Sequence, residues 1–145
     1  MYRHILLPTD GSELSAAAVQ AGVALAKSLN AKVTGFCAAP AIHPFYGDVP
    51  IDSATRALYD RHARDIGESH LALIEKTARA AGVPYEGEFT ISDAPFDAII
   101  HTAIEKGCDL IFMAPRGNAS ALGLPLGSNT HKVLSFSKIP VLVHR

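Results

Sequence analysis

The sequence predicts a single α/β domain built on a doubly wound, mostly parallel sheet, and three observations lead there. Short apolar runs alternate with longer stretches of helical periodicity along the whole chain. Five strand-like runs interleave with four helical stretches, an order that right-handed crossovers turn into a parallel sheet with helices on both faces. Leu110-Ile111-Phe112-Met113-Ala114 is apolar at every position, as expected of a central strand covered on both sides. With 145 residues the chain is one ordinary domain, 1–145, long enough to bury a core without disulfide or metal staples.

His4-Ile5-Leu6-Leu7 is the first strand, ended by Pro8. Asp10-Gly11-Ser12 supplies cap chemistry for a helix whose Leu14, Ala18, Ala21, Leu25 and Leu29 recur at helical spacing, and Asn30 closes it. Lys32 to Ala38 reads as the second strand, and residues 39–50, with Pro40, Pro44, Gly47 and Pro50, as a loop. A long helix from about Ser53 to Ala81 places Ala63, Gly67, Leu71, Ile74, Ala78 and Ala81 on one face and stops at Gly82. Tyr85 to Ile91 is a more polar third strand. Ser92-Asp93-Ala94-Pro95 starts a helix that buries Phe96, Ile99, Ile100, Ala103 and Ile104 and ends at Gly107. After Leu110–Ala114, a loop rich in small residues runs to Gly127, a short helix starts near Ser128, and Val141-Leu142-Val143 lies in the last strand.

Thirteen basic and 14 acidic residues give a formal charge of -1, which argues against nucleic acid as the main partner. An apolar fraction of 48% with 19% charged residues is a globular mixture, not a disordered one. No apolar run reaches the ~18–20 residues of a bilayer span. Met-Tyr-Arg-His leads directly into the first strand without the pattern of a secretory signal, so a cytoplasmic protein with no membrane partner is expected. Seven histidines are scattered without HxxxH or HExxH spacing, and Cys37 and Cys108 form no CxxC, so no metal site is expected.

In a doubly wound sheet, ligands sit beyond the carboxyl ends of the strands at the switch point. That singles out Pro8, Thr9 and Asp10, the surroundings of Ala38, and the segment from Ala114 to Asn129. In this segment Ala114-Pro115-Arg116-Gly117 is followed by Gly127-Ser128-Asn129 at a helix start. Glycine admits close backbone approach, and a helix start presents unpaired N–H groups to an anion. Arg116 is the one cation available there, and Ser128 can cap the helix or donate to a phosphate oxygen. Spacing alone favours a plain loop with a helix cap. Asp10 likewise suits either a ligand contact or a helix cap. The chain lacks GxGxxG, a Gly-Lys dipeptide and GxSxG, which removes the dinucleotide fingerprint, the Walker loop and the hydrolase nucleophile elbow.

Ile5-Leu6-Leu7-Pro8-Thr9-Asp10-Gly11-Ser12 resembles the opening of the universal stress protein family. Asp109 to Ala114, Leu126-Gly127-Ser128, Lys132-Val133-Leu134 and Ile139 to Val143 resemble its end. The family's nucleotide motif, Gly-x2-Gly-x9-Gly-Ser/Thr, is matched in spacing by Ala114-x2-Gly117-x9-Gly127-Ser128. Alanine replaces the first glycine, and Asn118-Ala119 stand where the family commonly carries basic residues or glycine. The resemblance implies a Rossmann-like, adenine nucleotide alpha hydrolase-like sheet of strand order 3-2-1-4-5. It further implies ATP or another adenine nucleotide as ligand, with magnesium as companion ion left open. Pro8, Thr9, Asp10, Ala38, Ala114, Arg116, Gly117, Gly127, Ser128 and Asn129 are the implied binding residues. Phosphates would lie over residues 116–118 and the amides of Ser128 and Asn129, with adenine near Asp10 and the backbone of Ala38.

The reading that follows is a stress-response protein that binds nucleotide and has no dedicated catalysis. Its alternatives are a nucleotide-free dimeric interaction protein of the same fold and, least favoured, a slow ATPase. A homodimer is expected through the final strand. Val141-Leu142-Val143 would lie at a sheet edge with no charge or proline inside the run to block pairing.

Overall fold

A computed structural model describes residues 1–117 and 124–145. Asn118-Ala119 lie outside the described residues. The elements run β1 (His4–Pro8), α1 (Glu13–Ser28), β2 (Lys32–Ala39), β3 (Phe45–Tyr46), β4 (Val49–Pro50), α2 (Ser53–Ala81), β5 (Tyr85–Ile91), α3 (Pro95–Glu105), β6 (Leu110–Met113), α4 (Ser128–Phe136) and β7 (Val141–Val143). Five strands form one sheet in the order β5-β2-β1-β6-β7, and every pairing in it is parallel. With the short hairpin set aside, this is the expected 3-2-1-4-5. Ile5 pairs in register with Val33 on one side and Leu110 on the other, so β1 is the central strand.

The sheet divides two apolar layers. Ile5, Leu7, Val33 and Phe112 pack against α1 and α2 through Val19, Val23, Leu71, Ile74 and Ala78. Leu6, Phe36, Ile111 and Met113 pack against Ile99 and Ala103 of α3 and Val133 of α4. Alternation along β1 sends successive side chains to opposite layers, and both are apolar because both faces are covered. Each fully buried Ile or Leu contributes roughly 1.5–3 kcal/mol of transfer free energy, so β1 anchors both layers at once.

Helix α2 has the predicted limits. Asp52 caps its start by accepting from Thr55 N–H at 2.6 Å, and Gly82 ends it in the left-handed region at φ 71°. The structure adds one detail to the sequence reading, in α1, and corrects two, in α3 and in residues 39–50. In α1 the buried face is Ser15, Ala18, Val19, Gly22, Val23 and Ala26, while Leu14, Ala21, Leu25 and Leu29 flank it half-buried. The rotation follows from close packing on β1, since a Cβ on Gly22 would overlap Leu7 and lie 3.2 Å from Phe112. In α3, Ile104 is 62% exposed. It lies about 140° around the helix from Ile99, past the edge of the buried stripe. Residues 39–50 are not wholly loop, because Phe45–Tyr46 and Val49–Pro50 pair as an antiparallel hairpin across Gly47-Asp48. Its two-residue strands are too short to carry an alternating pattern.

Candidate functional site

The carboxyl ends of β1, β2 and β6 and the start of α4 meet at one place. At the end of β1, Thr9 N–H donates to Phe36 O at 2.8 Å, tying the turn to β2. Thr9 Oγ1 accepts from Gly11 N–H at 3.1 Å and lies 3.1 Å from Ser15 Oγ. Ser12 is the N-cap of α1, accepting from Ser15 N–H at 3.2 Å. Asp10, which suited that cap from sequence, sits two residues before it. Its Oδ1 accepts from Ser12 N–H at 3.0 Å and fixes the turn, while its Oδ2 lies against Gly117. A Cβ on Gly117 would overlap Oδ2 and lie 2.8 Å from Asp10 Cγ, so the glycine is what lets the carboxylate in.

Two hydrogen bonds clamp the start of α4 to the end of β6. Gly127 N–H donates to Pro115 O at 2.8 Å, and Thr130 Oγ1 donates to Ala114 O at 3.0 Å. Ser128, read as a candidate cap, is instead the first helical residue. Gly127 holds the cap position with extended backbone and brings no side chain to it. The cap residue itself thus brings no side chain to the first-turn amides, which carry the positive end of the α4 dipole. Asn129 does a different job with its side chain. Its Oδ1 accepts from Phe96 N–H at 3.2 Å, so it caps α3, whose own N-cap residue Ala94 cannot.

A cavity of about 270 Å³ opens at this junction, and all ten residues singled out from the sequence line it. Ser15, Phe36, Pro95, Ile99, Met113 and Thr130 complete the wall. Phe36, Ile99 and Met113 form its apolar side. Their signal in the sequence was faint but present: Phe36 shares the parity of Ala38 on β2, and Ile99 lies on the inner stripe of α3. Among the described lining residues, Arg116 is the only Lys or Arg and Asp10 the only carboxylate.

Cys37 lies just behind this wall, buried, with its Sγ 3.9 Å from His70 Nδ1. Burial, with a smaller contribution from the Asp10 charge, pushes its thiol up to about 11, so it stays protonated at neutral pH. Among the described residues, no group of three or more His, Cys, Asp or Glu converges on a point that could hold a metal ion. No helix among them is long and apolar enough to cross a membrane.

The family model described as the universal stress protein family matches residues 1–145. The chain belongs to that family. A universal stress protein of Thermus aquaticus is 30% identical over 145 residues, covering all of both chains. Universal stress protein MJ0531 of Methanocaldococcus jannaschii is 29% identical over 143 residues, covering 99% of this chain and 82% of its own. Among solved structures, hypothetical protein MJ0577 superposes with a TM-score of 0.84 at 23% identity, covering 99% of this chain and 95% of that one. At that identity the likeness speaks for the fold. A universal stress protein in complex with cAMP has a TM-score of 0.74 at 26% identity, covering 99% of this chain and 97% of its own.

Proposed function

We propose that this member of the family is a cytoplasmic stress-response protein that holds an adenine nucleotide in the cavity between β1, β2, β6 and α4, without dedicated catalysis. The observation that carries the reading is the convergence of the ten sequence-selected residues on that cavity. The chemistry suits the ligand. Phe36, Ile99 and Met113 offer an apolar face for a base, Asp10 and the Ala38 backbone offer polar edges, and Arg116 with the α4 start offers an anion site. The cAMP complex of a relative of similar fold supports an adenine ligand. Absence of turnover is supported by the described lining, which contains no His, Glu or Lys beside Ser128 to act as its base. Asp10, as the one carboxylate there, offers a magnesium ion at most one acidic side chain.

The test is to denature the purified protein, chromatograph the supernatant for adenine nucleotide, and titrate the nucleotide-free protein with adenine compounds. Gly127→Val is the decisive variant. The Gly127 backbone is extended, at φ -72° and ψ 161°, a conformation valine adopts without backbone strain, and a branched side chain at this cavity-lining position is expected to obstruct the phosphates. Binding should be lost while the thermal melt stays cooperative. Unchanged affinity in that variant refutes the site, and no bound or bindable nucleotide in the parent protein favours the nucleotide-free interaction protein instead.

A further inference from the structure

Resting on the nucleotide reading above, we propose that the cavity selects a nucleotide carrying a single phosphate, and that the Asp10 carboxylate seated against Gly117 sets the limit. Among the described residues that line the cavity, Arg116 is the one Lys or Arg. One phosphate carries about 1.5–2 negative charges at neutral pH. Arg116 and the partial positive charge of roughly one half at the α4 start match that load. A second or third phosphate would bring further negative charge with no other Lys or Arg among the described lining residues to meet it.

Asp10 adds an opposing charge at the same place. Its Oδ1 is held by Ser12 N–H at 3.0 Å, and its Oδ2 rests on Gly117, the residue directly after Arg116. The carboxylate therefore borders the phosphate end of the cavity as well as the adenosine end. A phosphate chain extended past Arg116 would run beside it, and like charges at such range repel strongly where solvent is partly excluded. Asn129, whose Oδ1 accepts from Phe96 N–H, is neutral and adds no positive charge.

Calorimetric titration of the nucleotide-free protein with adenosine, AMP, ADP and ATP in EDTA tests this. AMP should bind tightest, with ATP at least about tenfold weaker. The order should survive the addition of magnesium. Asp10→Asn removes the charge and keeps a side-chain oxygen for Ser12 N–H, and in a variant whose thermal melt stays cooperative the AMP preference over ATP should shrink at least about threefold. ATP binding as tightly as AMP in either buffer overturns the inference while leaving the adenine-nucleotide reading intact. No binding of any of the four compounds overturns both. An unchanged AMP-to-ATP ratio in a folded Asp10→Asn protein removes Asp10 from the selection.

Discussion

At Gly117 a single methyl group is expected to change function without changing the fold. The group it would strike is the carboxylate of Asp10, which has to shift to admit the methyl, so Gly117→Ala should cost about 1–3 kcal/mol. The shift disturbs the bond from Ser12 N–H and moves the carboxylate within the cavity, so nucleotide affinity should fall about tenfold while the thermal melt drops by a few degrees and stays cooperative. Arg116→Ala should separate two ligands: AMP should weaken about tenfold or more, and adenosine, which has no phosphate, should be unaffected. Equal losses for both would assign Arg116 to the base or ribose. A third residue acts on stability from the opposite end of the sheet. His4 is buried, with Nε2 2.6 Å from Thr34 Oγ1 and 3.8 Å from Glu86 Oε1. Burial first, then Lys32, hold its pKa below the ordinary 6.5, although Glu86 and Asp109 pull the other way. The unfolded chain therefore takes up this proton before the folded one does. His4 contributes full stability above about pH 6.5, and loses it as pH falls through its lower folded value. Urea midpoints measured from pH 7.5 down to 5 should drop more steeply for the parent than for His4→Gln. Parallel curves would show that His4 is not the group responsible.

Helix α3 depends on a residue of α4, and that coupling is a prediction at the scale of elements. Removing the Asn129 oxygen leaves Phe96 N–H without its cap, so Asn129→Ala should cost about 1 kcal/mol and lower the urea midpoint. An unaltered midpoint would mean water replaces the cap without loss. The same bond marks the boundary of what the sequence made legible. Helix α2 could be read to its end residues because its caps, Asp52 and Gly82, and its periodic face are all local. The order of strands and helices was legible for the same reason, through runs of matching period. The site was legible because strand ends in a doubly wound sheet converge, so residues far apart in sequence, such as Asp10 and Gly117, could be assigned to one place. Pairings between side chains were not. That Asn129 caps α3, that Ser12 and not Asp10 caps α1, and that Gly127 displaces Ser128 from the α4 cap all depend on how elements dock. The rotation of α1 has the same origin. Leucines at helical spacing mark an apolar flank, but which stripe faces the sheet was decided by how closely Gly22 lets α1 approach Leu7. The hairpin at 45–50 was missed because its pairing is shorter than any pattern.

For the whole molecule, the two edges of the sheet decide how copies would associate. One edge is β5, which carries Glu86 and Glu88, both within ion-pair reach of Lys106 at 3.3 and 3.2 Å. Charged side chains on an edge discourage strand addition, and α2 packs alongside β5 as well. The other edge is β7, and its Val141-Leu142-Val143 has no charge or proline. Beside it Leu142 is 38% exposed, and Phe136 at the end of α4 is 66% exposed. An open apolar strand flanked by exposed apolar side chains is what a two-fold contact would cover, with β7 pairing against β7 of a second copy. We therefore propose a homodimer through β7. Sedimentation should find a species of twice the 15.3 kDa chain mass at micromolar concentration. Leu142→Lys places a charge at the centre of the contact, where pairing would bring it close to its own copy. It should raise the dissociation constant at least about tenfold, while the monomer keeps its fold because Leu142 is already partly exposed. A lysine at Glu88 on the far edge is the control: if Glu88→Lys dissociates the dimer and Leu142→Lys does not, β5 and not β7 is the edge that pairs.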